Sequence, residues 1–122
     1  MRRILISNLT NTAAQPINAH LCDTFVSRLR GLMFQKSLQR SDGIVLVESR
    51  ESIIDTTIHM FFMNFNIGVL WLDSDKKIVD AKLAKKWRPA YAPSVPARYV
   101  LETHPERLTD YAKGHLLAFI DA

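Results

Sequence analysis

Ile58-His59-Met60-Phe61-Phe62-Met63-Asn64-Phe65-Asn66-Ile67-Gly68-Val69-Leu70-Trp71-Leu72-Asp73 is the most apolar stretch of the chain. Its first six residues carry large side chains at both alternating positions. Ile58, Met60 and Phe62 would share one face of a strand, and His59, Phe61, Met63 and Phe65 the other. A strand with two apolar faces is covered on both sides, so this reading predicts a central strand of a sandwich or barrel. Asn64-Phe65-Asn66 then marks a turn, and Val69–Leu72 a second strand. Asp73-Ser74-Asp75-Lys76 reads as a hairpin connection. Lys77–Leu83 returns with Val79, Ala81 and Leu83 on one face and Asp80 and Lys82 on the other, a half-exposed strand.

The same logic extends outward. Strands are predicted at residues 3–6, Ile17–Leu21 and Ile44–Val47. Asp23 or Thr24 can cap a helix whose stripe is Phe25, Leu29 and Leu32, with Gly31 near its end. Residues 84–97 form one long loop holding three of the five prolines, and loops of that length in compact domains are often functional. Arg98–Thr103 is a strand with Tyr99 and Leu101 on one face and Val100 and Glu102 on the other. His104-Pro105-Glu106 opens a short helix that Lys113-Gly114 closes, and His115–Ile120 is the last strand. The fold class is mainly β: a compact antiparallel β-sandwich or barrel-like domain with two short helices, and residues 1–122 form a single domain.

Composition narrows the functions. The 122 residues are 48% hydrophobic and 23% charged, values of an ordinary globular domain and not of a disordered chain. No apolar run approaches the roughly 20 residues of a membrane-spanning helix. The opening apolar stretch, Ile4–Ile6, is too short for an export signal, so a cytoplasmic protein is expected. Cys22 is the only cysteine, which excludes an intramolecular disulfide and a cysteine-rich zinc module. The net charge is +4, and it is concentrated. Residues 76–98 hold seven cations against the single Asp80, a local net charge of +6, while the remainder nets −2. A focused basic patch attracts nucleic acid, an anionic membrane surface or an acidic ligand.

Three segments together resemble a known family. They are Arg28-Leu29-Arg30-Gly31-Leu32-Met33-Phe34, then Ile58–Ile67 running into Leu70-Trp71-Leu72-Asp73, then Arg98-Tyr99-Val100-Leu101-Glu102. In this order and spacing they resemble the small prokaryotic family called domain of unknown function 192, over about Leu21 to Ile120. The resemblance implies a compact β-sandwich-like fold with short helices and no established reaction. Two turns depart from the family pattern, Ser74-Asp75-Lys76-Lys77 and Thr103-His104-Pro105-Glu106, where glycine-containing turns are usual.

Three sets of residues carry candidate chemistry. The first is the basic loop, where Trp87 and Tyr91 stand among Lys85, Lys86 and Arg88, with Arg98 following. Aromatics interleaved with cations can stack bases or sugars and contact phosphates. The alternative for this loop is plain packing of Trp87 over the sheet edge. The second set is His59 and Met63 with Met33, a soft donor set suited to copper(I). Four residues on a strand span about 13 Å, so one ion cannot be shared without a bulge, and core packing is the favoured role. No metal and no cofactor are expected. The third set is Arg30, His59, Asp73 and Glu102, an acid–base constellation or a structural one in which Arg30 pairs with Asp73 or Glu102. Ser52 and Ser94 lack a nucleophile motif. Cys22 has only His20 nearby, on the same strand face.

The sequence therefore favours a non-enzymatic binding module that takes an anionic polymer or glycan through the 84–97 loop. The alternatives are a small hydrolase or isomerase using Arg30, His59, Asp73 and Glu102, and a protein-interaction domain seen as a homodimer or with another chain. A cleft holding those four residues would favour the enzyme. A shallow groove by Trp87 would favour binding.

Overall fold

Seven strands form one sheet in the computed structural model, which describes residues 2–121, the side chains of Phe25, Val26 and Leu29 excepted. The strands are β1 (Arg3–Asn8), β2 (Ile17–Cys22), β3 (Asp42–Ser52), β4 (Ile67–Leu72), β5 (Ile78–Ala84), β6 (Ala97–Thr103) and β7 (Leu117–Asp121). Helix α1 (Phe25–Arg30) lies between β2 and β3, and a 3-10 helix (Pro105–Asp110) follows β6. The fold is mainly β, as expected. Of the two short helices expected, one is α and the other 3-10. The Phe25 and Leu29 side chains of the expected stripe lie outside the description, while Leu32 is buried.

The sheet order is β5-β4-β6-β3-β2-β1-β7. Every pairing is antiparallel except β2 with β3, which run parallel. Parallel neighbours need a long crossover, and residues 23–41, including α1, supply it. The two edge strands approach each other where Lys77 and Leu116 form a single bridge pair. The sheet thus curls toward a barrel without closing.

Curling gives the sheet an inner and an outer face. All seven strands feed the inner face, with Ile6, Ile17, Val45, Leu70, Ile78, Leu101 and Leu117 in one cluster. A large side chain buried this fully contributes about 1.5–3 kcal/mol. Leu108 and Tyr111, in and just after the 3-10 helix, join this cluster. Gly43 is needed here, since a Cβ would stand 2.7 Å from the Glu102 carbonyl oxygen. Arg107, only 2% exposed, ties three loops together. Its Nε donates to Asp110 Oδ2 at 2.8 Å, its Nη1 to the Arg40 carbonyl at 2.8 Å, and its Nη2 to the Gln15 carbonyl.

The outer face carries Ile44 and Leu46 of β3, Val69 and Trp71 of β4, and Val100 of β6. Its cover is Leu32 after α1 and the loop side chains Ile58, Met60 and Met63. Trp71 is fully buried, and its Nε1 donates to the Thr56 carbonyl at 2.7 Å.

The predicted central strand at Ile58–Met63 is corrected to part of a loop, residues 53–66. The reason is topological. β4 already pairs with β5 and β6, and β3 with β2 and β6, so the interior of the sheet offers no free strand edge. The apolar stretch covers the outer face instead. It pairs with the 85–96 loop: Ile58 and Tyr91 exchange two backbone bonds of 2.9 Å, and Trp87 N–H donates to the Met60 carbonyl at 2.8 Å. A second correction concerns β5. The register shifts between Trp71 and Leu72, which places Val79 against the outer cluster and Ala81 against the inner one. One inserted residue reverses the face on which the following side chains fall.

Candidate ligand-binding cleft

The cleft is built where the crossover meets the outer face of β3 and β6. Alternation points Leu46 and Glu48 of β3 and Val100 and Glu102 of β6 outward, and these form its floor. α1 and the turn after it form one wall, with Arg28, Arg30 and Leu32. The loop carrying Asp55, Thr57 and His59 forms the other. The volume of the cleft is about 330 Å³.

Local chemistry fixes these walls. Thr24 caps α1: its hydroxyl accepts from Ser27 N–H at 3.1 Å, and the Ser27 hydroxyl accepts from Thr24 N–H at 3.1 Å. This reciprocal box satisfies two amide donors that a helix start leaves open. Gly31 then turns the chain at φ +47°, a conformation that favours glycine. The turn passes directly over Glu102, whose Oε1 would be 3.6 Å from a Cβ at Gly31. Arg28 holds the helix to β3. Its Nε meets Glu48 Oε2 at 2.9 Å, and its Nη1 donates to the Asp23 carbonyl at 2.8 Å.

Glu102 is buried in the outer face, 5% exposed. Burial pushes its carboxyl up to about 7, because a charge there loses its hydration. Among the described residues no donor reaches that carboxyl, which faces the cleft. Burial also raises Glu48, with Arg28 opposing the shift and Asp55 adding to it. His59 is half-buried. Its Nδ1 accepts from Phe61 N–H at 3.2 Å, so the neutral ring carries its proton on Nε2. Arg30 is exposed at the mouth and forms no ion pair among the described residues.

Of the acid–base set, the structure brings Arg30, His59 and Glu102 to one cleft and leaves Asp73 out. Asp73 serves the β4–β5 hairpin, where its Oδ1 accepts from Asp75 N–H at 2.9 Å and Lys77 N–H at 3.0 Å. In the same turn Lys76 takes φ +65°, a left-handed position where glycine is usual. The expected anchoring of the helix by Arg30 is corrected too, since Arg28 and Glu48 perform it. Sequence reading missed both of them. Glu48 continues the outward alternation of Ile44 and Leu46, and that period was the available signal. Met33, His59 and Met63 line the same cleft, brought together because the chain turns at Phe61-Phe62 instead of extending. Among the described residues no three His, Cys, Asp or Glu side chains form a metal-sized group.

A second cavity of about 530 Å³ lies beyond Gly31 and Leu32 and is lined by His20, Cys22 and Asp42. It shares Arg30 with the cleft. The Cys22 thiol is pushed up to about 11, by burial first and then by Glu102 and Asp23. It stays protonated near neutrality and is a poor nucleophile.

The basic loop is arranged differently. Lys85, Lys86 and Arg88 are exposed. Tyr91 is half-buried, its hydroxyl accepting from Lys85 N–H at 3.0 Å. Arg98 is drawn onto β3, where its Nε donates to the Glu48 carbonyl at 3.0 Å. Trp87 is 53% exposed and meets the Phe62 ring edge-on at 5.3 Å. Phe62 meets Phe34 at 5.2 Å. All three rings sit on left-handed residues, with φ of +66°, +63° and +66° for Phe34, Phe62 and Trp87. Such a conformation costs roughly 1–2 kcal/mol for a residue with a side chain. None of the described cavities is lined by these rings.

Comparison with known proteins fits this architecture. The chain belongs to the family of domain of unknown function 192, described as "Uncharacterized ACR", whose pattern it matches over residues 6–114. It is 43% identical over 98 residues to the UPF0127 protein TK1120 of Thermococcus kodakarensis, covering 80% of this chain and 60% of that protein. A UPF0127 protein of Thermococcus gammatolerans is 40% identical over 117 residues, covering 94% and 74%. The chain thus spans only about three-fifths to three-quarters of the length of these relatives. Two solved structures share the fold. A protein of unknown function from Novosphingobium aromaticivorans aligns with a TM-score of 0.76 at 15% identity, covering 95% of this chain and 83% of that one. A protein of Sinorhizobium meliloti described as a putative transcription regulator aligns with a TM-score of 0.82 at 17% identity, covering 97% and 92%. At such identities the likeness is one of fold alone. Among the described residues no helix is long and apolar enough to cross a membrane.

Proposed function

We propose that the domain is a non-enzymatic binding module whose ligand is a small organic anion held in the cleft. The observation that carries this reading is the convergence of the exposed Arg30 and the Glu102 carboxyl on one cleft, where no described residue bonds that carboxyl. Around it, Leu46, Ile58 and Val100 suit an apolar body. Arg30 at the mouth suits a carboxylate, which a guanidinium can bind through two bonds. Protonated Glu102 would donate to an oxygen at the inner end. Of the four residues of the acid–base set, only Arg30, His59 and Glu102 line the cleft.

Ligand-observed NMR against a panel of small carboxylates and monosaccharides tests the reading. At least one carboxylate should bind, and Arg30→Ala and Glu102→Leu should each weaken it roughly tenfold, the loss of one hydrogen bond to a charged group, with the circular dichroism unchanged. Binding of no panel member, or equal binding by both variants, would overturn it.

A further inference from the structure

Independently of the cleft, we infer that Phe34, Phe62 and Trp87 form a docking knob for an anionic lipid bilayer surface. Three observations converge. The rings come from three separate turns, yet they touch in a row at 5.2 and 5.3 Å. They remain 62%, 46% and 53% exposed, although burial is the ordinary fate of such side chains. Each stands on a left-handed residue, a conformation that bulky side chains avoid and that clusters at functional positions.

The chemistry around the knob selects its partner. Lys36, Lys85, Lys86 and Arg88 lie next to the rings in the chain, are exposed, and form no ion pair among the described residues. Apolar tips flanked by free cations match an interface where acyl chains begin beneath anionic headgroups. The three exposed rings form a contiguous apolar patch, which suits a soft, flat partner. Single-stranded nucleic acid fits less well. It is usually held in a groove with bases stacked on ring faces, whereas these planes are inclined by 31° and 62° to one another. Phe34 and Phe62 also lack any polar atom with which to read a sugar or base.

Vesicle sedimentation decides the matter, using phosphatidylcholine alone and phosphatidylcholine mixed with phosphatidylserine. The full chain should partition roughly tenfold more strongly onto the mixed vesicles, and less so as salt is raised. Emission should shift to the blue and be quenched by brominated lipid. That signal would report Trp87, since Trp71 is already buried. Phe62→Gly and Trp87→Gly should each lower partitioning at least fivefold. Glycine accepts both backbone conformations, so thermal unfolding of these variants should change little. Absence of binding to mixed vesicles, or unchanged binding by both glycine variants, would overturn the proposal. A saturable Trp87 response to single-stranded DNA or heparin without any response to vesicles would also overturn it, in favour of a polyanion site. The quenching of wild-type Trp87 decides the question even if a variant fails to fold.

Discussion

On the inner face of the sheet, all seven strands contribute side chains to one apolar cluster. On the outer face, nine of the thirteen buried residues belong to strands, and Leu32, Ile58, Met60 and Met63 come from outside the sheet to complete the cluster. The inner face closes by curvature, so most of its partners are other strands held in register by backbone hydrogen bonds, with Leu108 and Tyr111 added at one end. The outer face depends on loops and a six-residue helix, whose fit to the sheet leaves gaps. The buried Glu102, the cleft, the second cavity and the exposed ring cluster all belong to the outer side or to its cover. A face sealed by its own strands serves stability. A face sealed by loops has room for ligands.

Three substitutions would sharpen or break this contrast. Arg107→Ala should have the largest effect, about 3–5 kcal/mol of lost stability, because it leaves Asp110 and the Gln15 and Arg40 carbonyls without their donor. Chemical denaturation measures it, and a loss below 1 kcal/mol would show that the 3-10 helix does not lock the inner face. Leu101→Ala, on the inner face, should cost about 2–5 kcal/mol and leave cleft binding at its native strength. An equal loss of ligand affinity in that variant would mean the two faces are coupled.

Glu102→Gln should act in the opposite direction and depend on pH. The native carboxyl titrates near 7 against 4.5 for an ordinary glutamate. The folded state therefore holds the proton more tightly, and stability falls as pH rises from about 4.5 through 7. Below that window the native carboxyl costs nothing by this route. Above it the cost levels off at about 3 kcal/mol. The variant's stability relative to the native protein should thus climb between pH 5 and 8 by up to that amount. Unfolding midpoints that run parallel across this range would show that Glu102 is solvated and the outer face less tightly covered.

Some of this was legible before any coordinates. Tyr99 and Leu101 do face opposite to Val100 and Glu102, since a strand alternates strictly once its direction is known. Thr24 caps the helix and Gly31 ends it, both local effects of backbone hydrogen bonding and φ. The 84–97 loop stands between β5 and β6 as its prolines imply. Arg30, His59 and Glu102 stood out as residue types able to do chemistry, and they do converge. Arg28 and Glu48 escaped notice because a salt bridge between a helix and a strand leaves no local pattern.

The sequence alone determined the alternation of β6, the two caps of α1 and the Asp73–Lys76 turn, because these depend on neighbours within a few residues. It could not determine whether Ile58–Met63 was strand or cover. Alternating apolar residues bury equally well in either role, and only the occupied edges of β3, β4 and β6 exclude the strand. The tertiary structure also decided that Asp73 stays in its hairpin while His59 lines one cleft with Arg30 and Glu102. That choice rests on the parallel crossover carrying α1 over the outer face, and on pairing between two loops about thirty residues apart. Such contacts gain their energy only after the sheet is assembled, so no local stretch of the chain encodes them.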